Sequence, residues 1–485
     1  MLSKYKIELE DYGVGIEISK SKDGFVTNYF IKFLELDEGT KAVYEEIKDR
    51  LITQLQLVSY NTIDKKKRIT DDFRTKARDE VEKLIPKIED NKKNYLVGMI
   101  VHEMLGLGKL EILLNDPELE EVVINSSKEP AQVYHRKFGW LVTNIIPKSE
   151  DEILNYSSII GRKVGRQITN LTPLLDAHLP NGDRVNATLA PISNDGNTIT
   201  IRKFRKIPWT ISEFISNKTL DAEVAALFWL SIQYELNILV SGGTGTGKTS
   251  FLTSLMPFIP PNQRILSIED TREIKLPDFL HWVPMVTREP NQEGKGKIDM
   301  LDLLVNSLRM RPDRIILGEI RRSREAEVLF EAMHTGHSVY STIHADTAIQ
   351  TYRRLINPPI SIPETLLDAI DLFVVMFRDR RKGIRRVYEI AEIPFSKGKN
   401  FEKINLLYKW NSKSDQIFKY HESKKAINKL KVLTGFGDLE IKRELSNRKK
   451  VLEYLVKKNI KDAATVEQYI SSYIKDPEKL MKKIR

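Results

Sequence analysis

Cysteine is absent from the 485 residues, which excludes disulfides, thiolate-held zinc and a thiol nucleophile. Any metal must be held through oxygen or imidazole. No apolar run approaches the ~20 residues needed to cross a bilayer. The first residues also lack the charged, apolar and small-residue succession of a secretory signal, so the chain is expected inside the cell. There is no internal repeat and no low-complexity segment. Hydrophobic residues make up 41% and charged residues 30%, the balance of a core-forming protein long enough for about three domains.

Positive charge is unevenly spread. Residues 395–485 carry 23 Lys and Arg against 11 Asp and Glu, a net of +12, whereas residues 1–394 carry 54 against 56, a net of −2. A basic terminal segment suits an acidic partner, an anionic membrane surface or nucleic acid, and a well-solvated helical surface accounts for it equally.

The densest chemical signal is Gly242-Gly243-Thr244-Gly245-Thr246-Gly247-Lys248-Thr249. An apolar run, Leu236-Asn237-Ile238-Leu239-Val240, precedes it as a short buried strand, and Ser250-Phe251-Leu252 continues it as a helix. That is the strand–loop–helix context of a P-loop. Glycines at 242, 245 and 247 let the backbone turn its N–H groups toward a phosphate chain at the positive end of the helix. Lys248 is placed to reach the β/γ-phosphates of ATP, and the Thr249 hydroxyl to ligate Mg²⁺.

Along the chain, residues 1–35 alternate as β-structure. Helical spacing follows at Val43, Ile47, Leu51 and Leu55, and again at Phe73, Ala77, Val81 and Leu84, with Asp64-Lys65-Lys66-Lys67-Arg68 read as a polar connection. Residues 94–206 read as an α+β domain: a helix ending at Gly106 and Gly108, strands at 121–125 and 131–135, a turn at 179–184 and a strand at 197–204. Residues 207–210 make a stiff linker. Strands alternate with helices from 207 to 394, the pattern of a parallel α/β sheet, with strands expected at 237–241, 264–268, 313–317, 338–343 and 372–377. Beyond 394 the pattern is helical.

Three acidic or imidazole-bearing segments follow the P-loop. Glu269 and Glu273 lie at the end of one strand, where parallel sheets form their ligand crevice, and are placed to meet Mg²⁺ or water. The next strand ends Leu317-Gly318-Glu319. Gly318 stands where most P-loop enzymes have the Asp that supports Mg²⁺, so metal support falls to Thr249, water and Glu273, while Glu319 orients the attacking water. His337 and His344 flank the strand after that, and at least one is expected to sense the γ-phosphate or signal between subunits. A zinc site is not expected without a third ligand.

In order and spacing, these four segments resemble the Walker A, Asp box, Gly-Glu Walker B and His box of the secretion ATPase superfamily, across about residues 95 to 395. The Glu319-Ile320-Arg321 ending matches as well. The resemblance implies a RecA-like P-loop ATPase domain (207–394), preceded by an α+β N-terminal domain (94–206) and a small strand and helical-bundle region (1–93). A basic helical C-terminal extension (395–485) follows. Pro180, Gly182, Arg184 and Arg202 resemble the family's N-terminal-domain turn and strand, whose arginines approach nucleotide at a domain or subunit boundary. The ends of the chain are similar to the archaeal branch that assembles pilus-like filaments, and the four-cysteine zinc motif common in bacterial type II members has no counterpart.

The expectation is an ATP hydrolase, a homohexamer binding ATP and Mg²⁺ between its N-terminal and RecA-like domains. It would act at the cytoplasmic face of the membrane or on anionic lipid, and drive a polytopic platform protein of a pilus or secretion machine. Nucleic acid is not the expected partner. The alternatives are a nucleic-acid translocase or conjugation-type traffic ATPase, to which the basic extension would lend a phosphate grip, and a scaffold that holds ATP without turning it over.

Overall fold

A computed structural model describes residues 1–21, 24–54, 63–179, 181–204, 208–290, 294–394 and 404–484. Leu55 and Pro180, both named in the sequence reading, and Ile207, the first residue of the expected linker, lie outside them. The chain divides into two units, Met1–Arg205 and Lys206–Arg485.

The first unit opens with three strands, β1 (Ser3–Glu8), β2 (Gly13–Lys20) and β3 (Thr27–Lys32). Their alternation buries every second residue, as with Val14, Ile16 and Ile18 in β2. Helices α1 (Glu38–Gln54), α2 (Ile63–Leu84), α3 (Asp90–Leu105) and α4 (Leu110–Asn115) follow. The four-residue spacing puts Ile47 and Leu51 of α1, and Phe73, Ala77 and Val81 of α2, on buried stripes. Residues 64–68, expected as a connection, belong to the first turns of α2. Then come β4 (Leu119–Ile124), β5 (Gln132–His135), β6 (Gly139–Thr143), α5 (Glu150–Lys163), β7 (Leu174–His178), β8 (Arg184–Thr188) and β9 (Thr198–Arg202).

All nine strands form one sheet in the order β1-β2-β3-β6-β5-β4-β9-β8-β7. The break expected at 93/94 falls inside α3, because the apolar face of the opening meander shares one core with α3 and the later strands. Asp116 adds a polar tie, accepting from both Tyr5 and Tyr29 hydroxyls at 2.6 Å.

The second unit starts with α6 (Ile211–Ser216), whose N-terminus is closed by a capping box between Thr210 and Glu213. Next come α7 (Ala222–Gln233), β10 (Ile238–Gly242), α8 (Lys248–Leu255), β11 (Arg264–Glu269), β12 (His281–Val286), α9 (Met300–Ser307), β13 (Arg314–Leu317), α10 (Ser323–His334), β14 (Ser338–Ile343) and α11 (Ala348–Ile356). The unit continues with β15 (Leu372–Asp379), β16 (Ile384–Glu392), β17 (Asn405–Asn411), β18 (Gln416–Lys419), α12 (Lys425–Thr434), α13 (Asp438–Lys457), α14 (Ala463–Lys475) and α15 (Pro477–Ile484).

The sheet order is β12-β11-β13-β14-β10-β15-β16-β17-β18, parallel through β15 and antiparallel beyond it. All five expected strands are present. Each is a short run buried along all or most of its length, as strands covered on both faces are.

The segment after 394 is not simply helical. Strands β17 and β18 extend the ATPase sheet, and α13 and α14 pack on α7, a helix apolar nearly all round. Arg448 of α13 is the polar centre of that contact. Its buried guanidinium meets Glu444 at 2.5 Å and Gln233 at 2.7 Å and lies over the rings of Trp229 and Tyr473, 5.6 and 5.0 Å from their centroids.

Candidate active site

Parallel pairing brings the carboxyl ends of β10, β11, β13 and β14 to one edge of the sheet, and each runs directly into a segment singled out by sequence. Strand β10 feeds the loop 242–248. A Cβ on Gly242 would come within 2.6 Å of the Met376 carbonyl oxygen on neighbouring β15, and its φ is +150°, so only glycine fits. Gly247 caps α8 at φ +92°, leaving Lys248 and Thr249 in the first helical turn. Thr246 Oγ1 donates to the Gly243 carbonyl at 2.9 Å. Lys248 Nζ donates to the carbonyls of Gly242 and Gly243 at 3.0 and 3.2 Å. Burial holds its ammonium below the usual lysine range, against the opposing pull of Glu319, Glu273 and Asp346.

Strand β13 delivers Glu319 and β14 delivers His344, and the two meet. His344 Nε2 lies 3.1 Å from Glu319 Oε1, while His344 Nδ1 lies 3.5 Å from Lys248 Nζ. An ammonium can only donate and a carboxylate can only accept, so these neighbours select the neutral tautomer with its proton on Nε2. Burial, then the nearby Lys248 charge, lower the imidazole pKa and keep it neutral. The other oxygen of Glu319 accepts from Arg321 Nε at 2.9 Å and Nη2 at 2.8 Å, and Arg321 Nη1 binds Asp270. One chain of contacts therefore runs from the phosphate loop to the carboxylate: Lys248, His344, Glu319, Arg321, Asp270.

Glu269, at the end of β11, is 2% exposed. Its Oε1 accepts the backbone N–H groups of Glu273 and Ile274 at 2.9 and 3.0 Å, its Oε2 is unpartnered, and burial raises its pKa to about 7. It shapes the turn that carries the exposed Glu273. The structure also accounts for Gly318. A Cβ there would lie 3.5 Å from Glu269 Cγ, so an aspartate would set a second carboxyl beside a buried one.

His337 lies apart from His344 and the loop. It precedes β14 whereas His344 follows it, and six residues of strand separate them by about 20 Å. Its Nδ1 lies 3.2 Å from both the Thr335 hydroxyl and the Ala332 carbonyl at the end of α10, away from the loop. Two histidines flanking one parallel strand cannot both lie on its carboxyl-end edge. Arg184 and Arg202 belong to the first unit, paired across β8 and β9, and Arg184 is held by Asp176 at 2.7 Å.

Sequence reading missed Asp270, Asp346, Arg378 and Arg385. Asp346 Oδ1 would lie 3.1 Å from a Cβ on Gly243, and Arg385 Nε donates to the Gly245 carbonyl at 3.1 Å. The available signal was position: Asp346 is two residues past His344, and Arg378 is the penultimate residue of β15, the strand beside β10.

Among the described residues no three His, Asp or Glu side chains converge as a metal cage. The oxygen donors present, the Thr249 hydroxyl and the Glu273 carboxylate, fit a hard cation held mainly by phosphates and water.

The family model described as type II/IV secretion system protein matches residues 120–375. An uncharacterized protein of Methanocaldococcus jannaschii, MJ0900, is 35% identical over 80% of this chain and 71% of its own length. The type IV secretion system protein PtlH of Bordetella pertussis is 32% identical over 56% of this chain and 89% of its own, and the VirB11 protein of Agrobacterium tumefaciens 29% identical over 58% and 90%. With a P-loop, a Gly-Glu strand end and a histidine joining them on one sheet edge, the chain belongs to the type II/type IV secretion ATPase superfamily.

Proposed function

We propose that the protein is a homohexameric motor that hydrolyses ATP to drive a pilus-like filament or secretion machine, through a polytopic platform protein at the cytoplasmic face of the membrane. The observation that carries the reading is the chain of contacts from Lys248 through His344 to Glu319, which ties the phosphate loop to the water-orienting carboxylate. Lys248 and the loop amides neutralise the phosphates, and Glu319 orients the attacking water. Thr249 and Glu273 would hold Mg²⁺, which would supply charge neutralisation at the phosphates. Arg184 or Arg202 is proposed to add positive charge at the γ-phosphate.

No helix among the described residues is long and apolar enough to cross a membrane. Type IV secretion traffic is the second reading, favoured by the names of the VirB11 and PtlH relatives.

ATPase rates of the parent and Lys248→Ala, with anionic vesicles and separately with DNA, test both. Vesicle stimulation that disappears in Lys248→Ala supports the membrane-platform motor. Saturable, salt-sensitive stimulation by DNA alone overturns it in favour of a translocase.

A further inference from the structure

The hairpin joining β15 to β16 grips the phosphate loop from outside. Arg385 Nε donates to the Gly245 carbonyl oxygen at 3.1 Å, and a Cβ on Gly245 would lie 2.7 Å from Arg378 Nη1. The hairpin itself is firmly seated. Asp379 Oδ1 accepts the N–H groups of Arg381 and Lys382 at 2.9 and 3.1 Å, closing the turn. At its base Arg386 is clasped by both oxygens of Asp415, at 2.7 and 2.9 Å, and donates to the Asn217 carbonyl at 3.1 Å.

A trans peptide points its C=O and N–H in opposite directions. With the Gly245 carbonyl held on the hairpin side, the N–H of Thr246 is turned the other way, into the loop. Gly245 has φ +72° and no side chain to resist rotation, so the Arg385 hydrogen bond holds this peptide plane alongside the Thr246 hydroxyl's bond to the Gly243 carbonyl.

We propose that Arg385, supported by Arg378, is a positioning residue: by holding the Gly245 carbonyl it aims the Thr246 amide at the β/γ-phosphates of ATP. This rests on the ATPase reading above. The arginines act on binding of the phosphate chain and leave the attacking water to Glu319.

The test is steady-state ATPase kinetics of the full chain with Arg385→Ala, Arg385→Lys and Arg385→Gln, alongside ADP affinity by titration. Loss of one aimed amide is expected to raise KM and the ADP Kd about tenfold in Arg385→Ala with kcat within about threefold. Lys and Gln, which can still donate to the carbonyl, are expected to restore most of the affinity. A parent-like KM in Arg385→Ala overturns the proposal, as does a fall in kcat at unchanged KM. If Arg385→Ala does not fold, the Gln variant decides: near-parental KM supports the proposal, and tenfold-raised KM with a parental melting temperature overturns the carbonyl-holding role. A parent that neither binds nor hydrolyses ATP would sink the ATPase reading itself, a result distinct from an active parent with indifferent variants.

Discussion

Glu319 and His344 meet at 3.1 Å, and their variants should differ in kind. Glu319→Gln keeps the His344 contact and the loop, so it should bind ATP like the parent while turnover falls by at least about 100-fold. Parental turnover in that variant would remove Glu319 from the chemistry. His344→Gln should cut turnover less and also change the pH dependence of stability. The imidazole pKa is depressed in the fold, so the unfolded chain binds more protons below about pH 6.5, and stability is lost as pH falls from there. Urea melts at pH 7.5 and 5.5 should show a smaller loss in His344→Gln than in the parent.

Glu269 has the opposite sign. Its carboxyl is held protonated up to about pH 7 while an unfolded one ionises near 4.5, so its share of stability is present at low pH and lost as pH rises through that window. Glu269→Gln keeps the acceptor for Glu273 and Ile274 and cannot ionise. It should be the more stable form at pH 8, by of order 1–3 kcal/mol, and equal to the parent near pH 4, below the unfolded carboxyl's pKa. Equal melting temperatures at both values would show that the Glu269 carboxyl is not burdened by its burial.

At the scale of elements, the parallel strands were legible because strands covered on both faces are written as unbroken apolar runs, as in Ile238-Leu239-Val240. The segments that escaped notice are of another kind. Strand β12 is an edge strand carrying Pro284, and β16 and β17 mix arginine, tyrosine and lysine into the run, so neither alternation nor continuity marks them. The site was legible where its residues follow strands in register, as Glu319 and His344 do. It was not legible at Arg385, whose relevance depends on a hairpin folding back over Gly245.

The helices after 425 were read as a basic extension, yet several of their cations are structural. Lys425 is buried and donates to the Asp368 and Ile370 carbonyls, Lys429 pairs with Asp371, and Arg448 is enclosed between Trp229 and Tyr473. Arg448→Ala should cost about 2–4 kcal/mol, since it leaves Glu444 without its cation and opens space between two rings. Denaturant midpoints measure this, and a change below about 0.5 kcal/mol would mean the helices hold to α7 without it.

For the whole molecule, each unit has its own apolar core, one confined to residues 7–201 and the others to residues 211–480. Expressed separately, residues 1–205 and 206–485 should each unfold cooperatively, and the second should bind ATP through its own loop. Failure of 206–485 to fold alone would mean that the division by contacts is not a division by stability.

The packing of α13 and α14 over α7 also has a consequence for biosynthesis. Trp229 and its neighbours leave the ribosome more than two hundred residues before Arg448 and Tyr473, the groups that cover them. At elongation rates of ~5–20 residues per second, the face of that helix covered by α13 and α14 stays open for ten seconds or more, long enough for a nascent-chain chaperone to engage it before the fold can close.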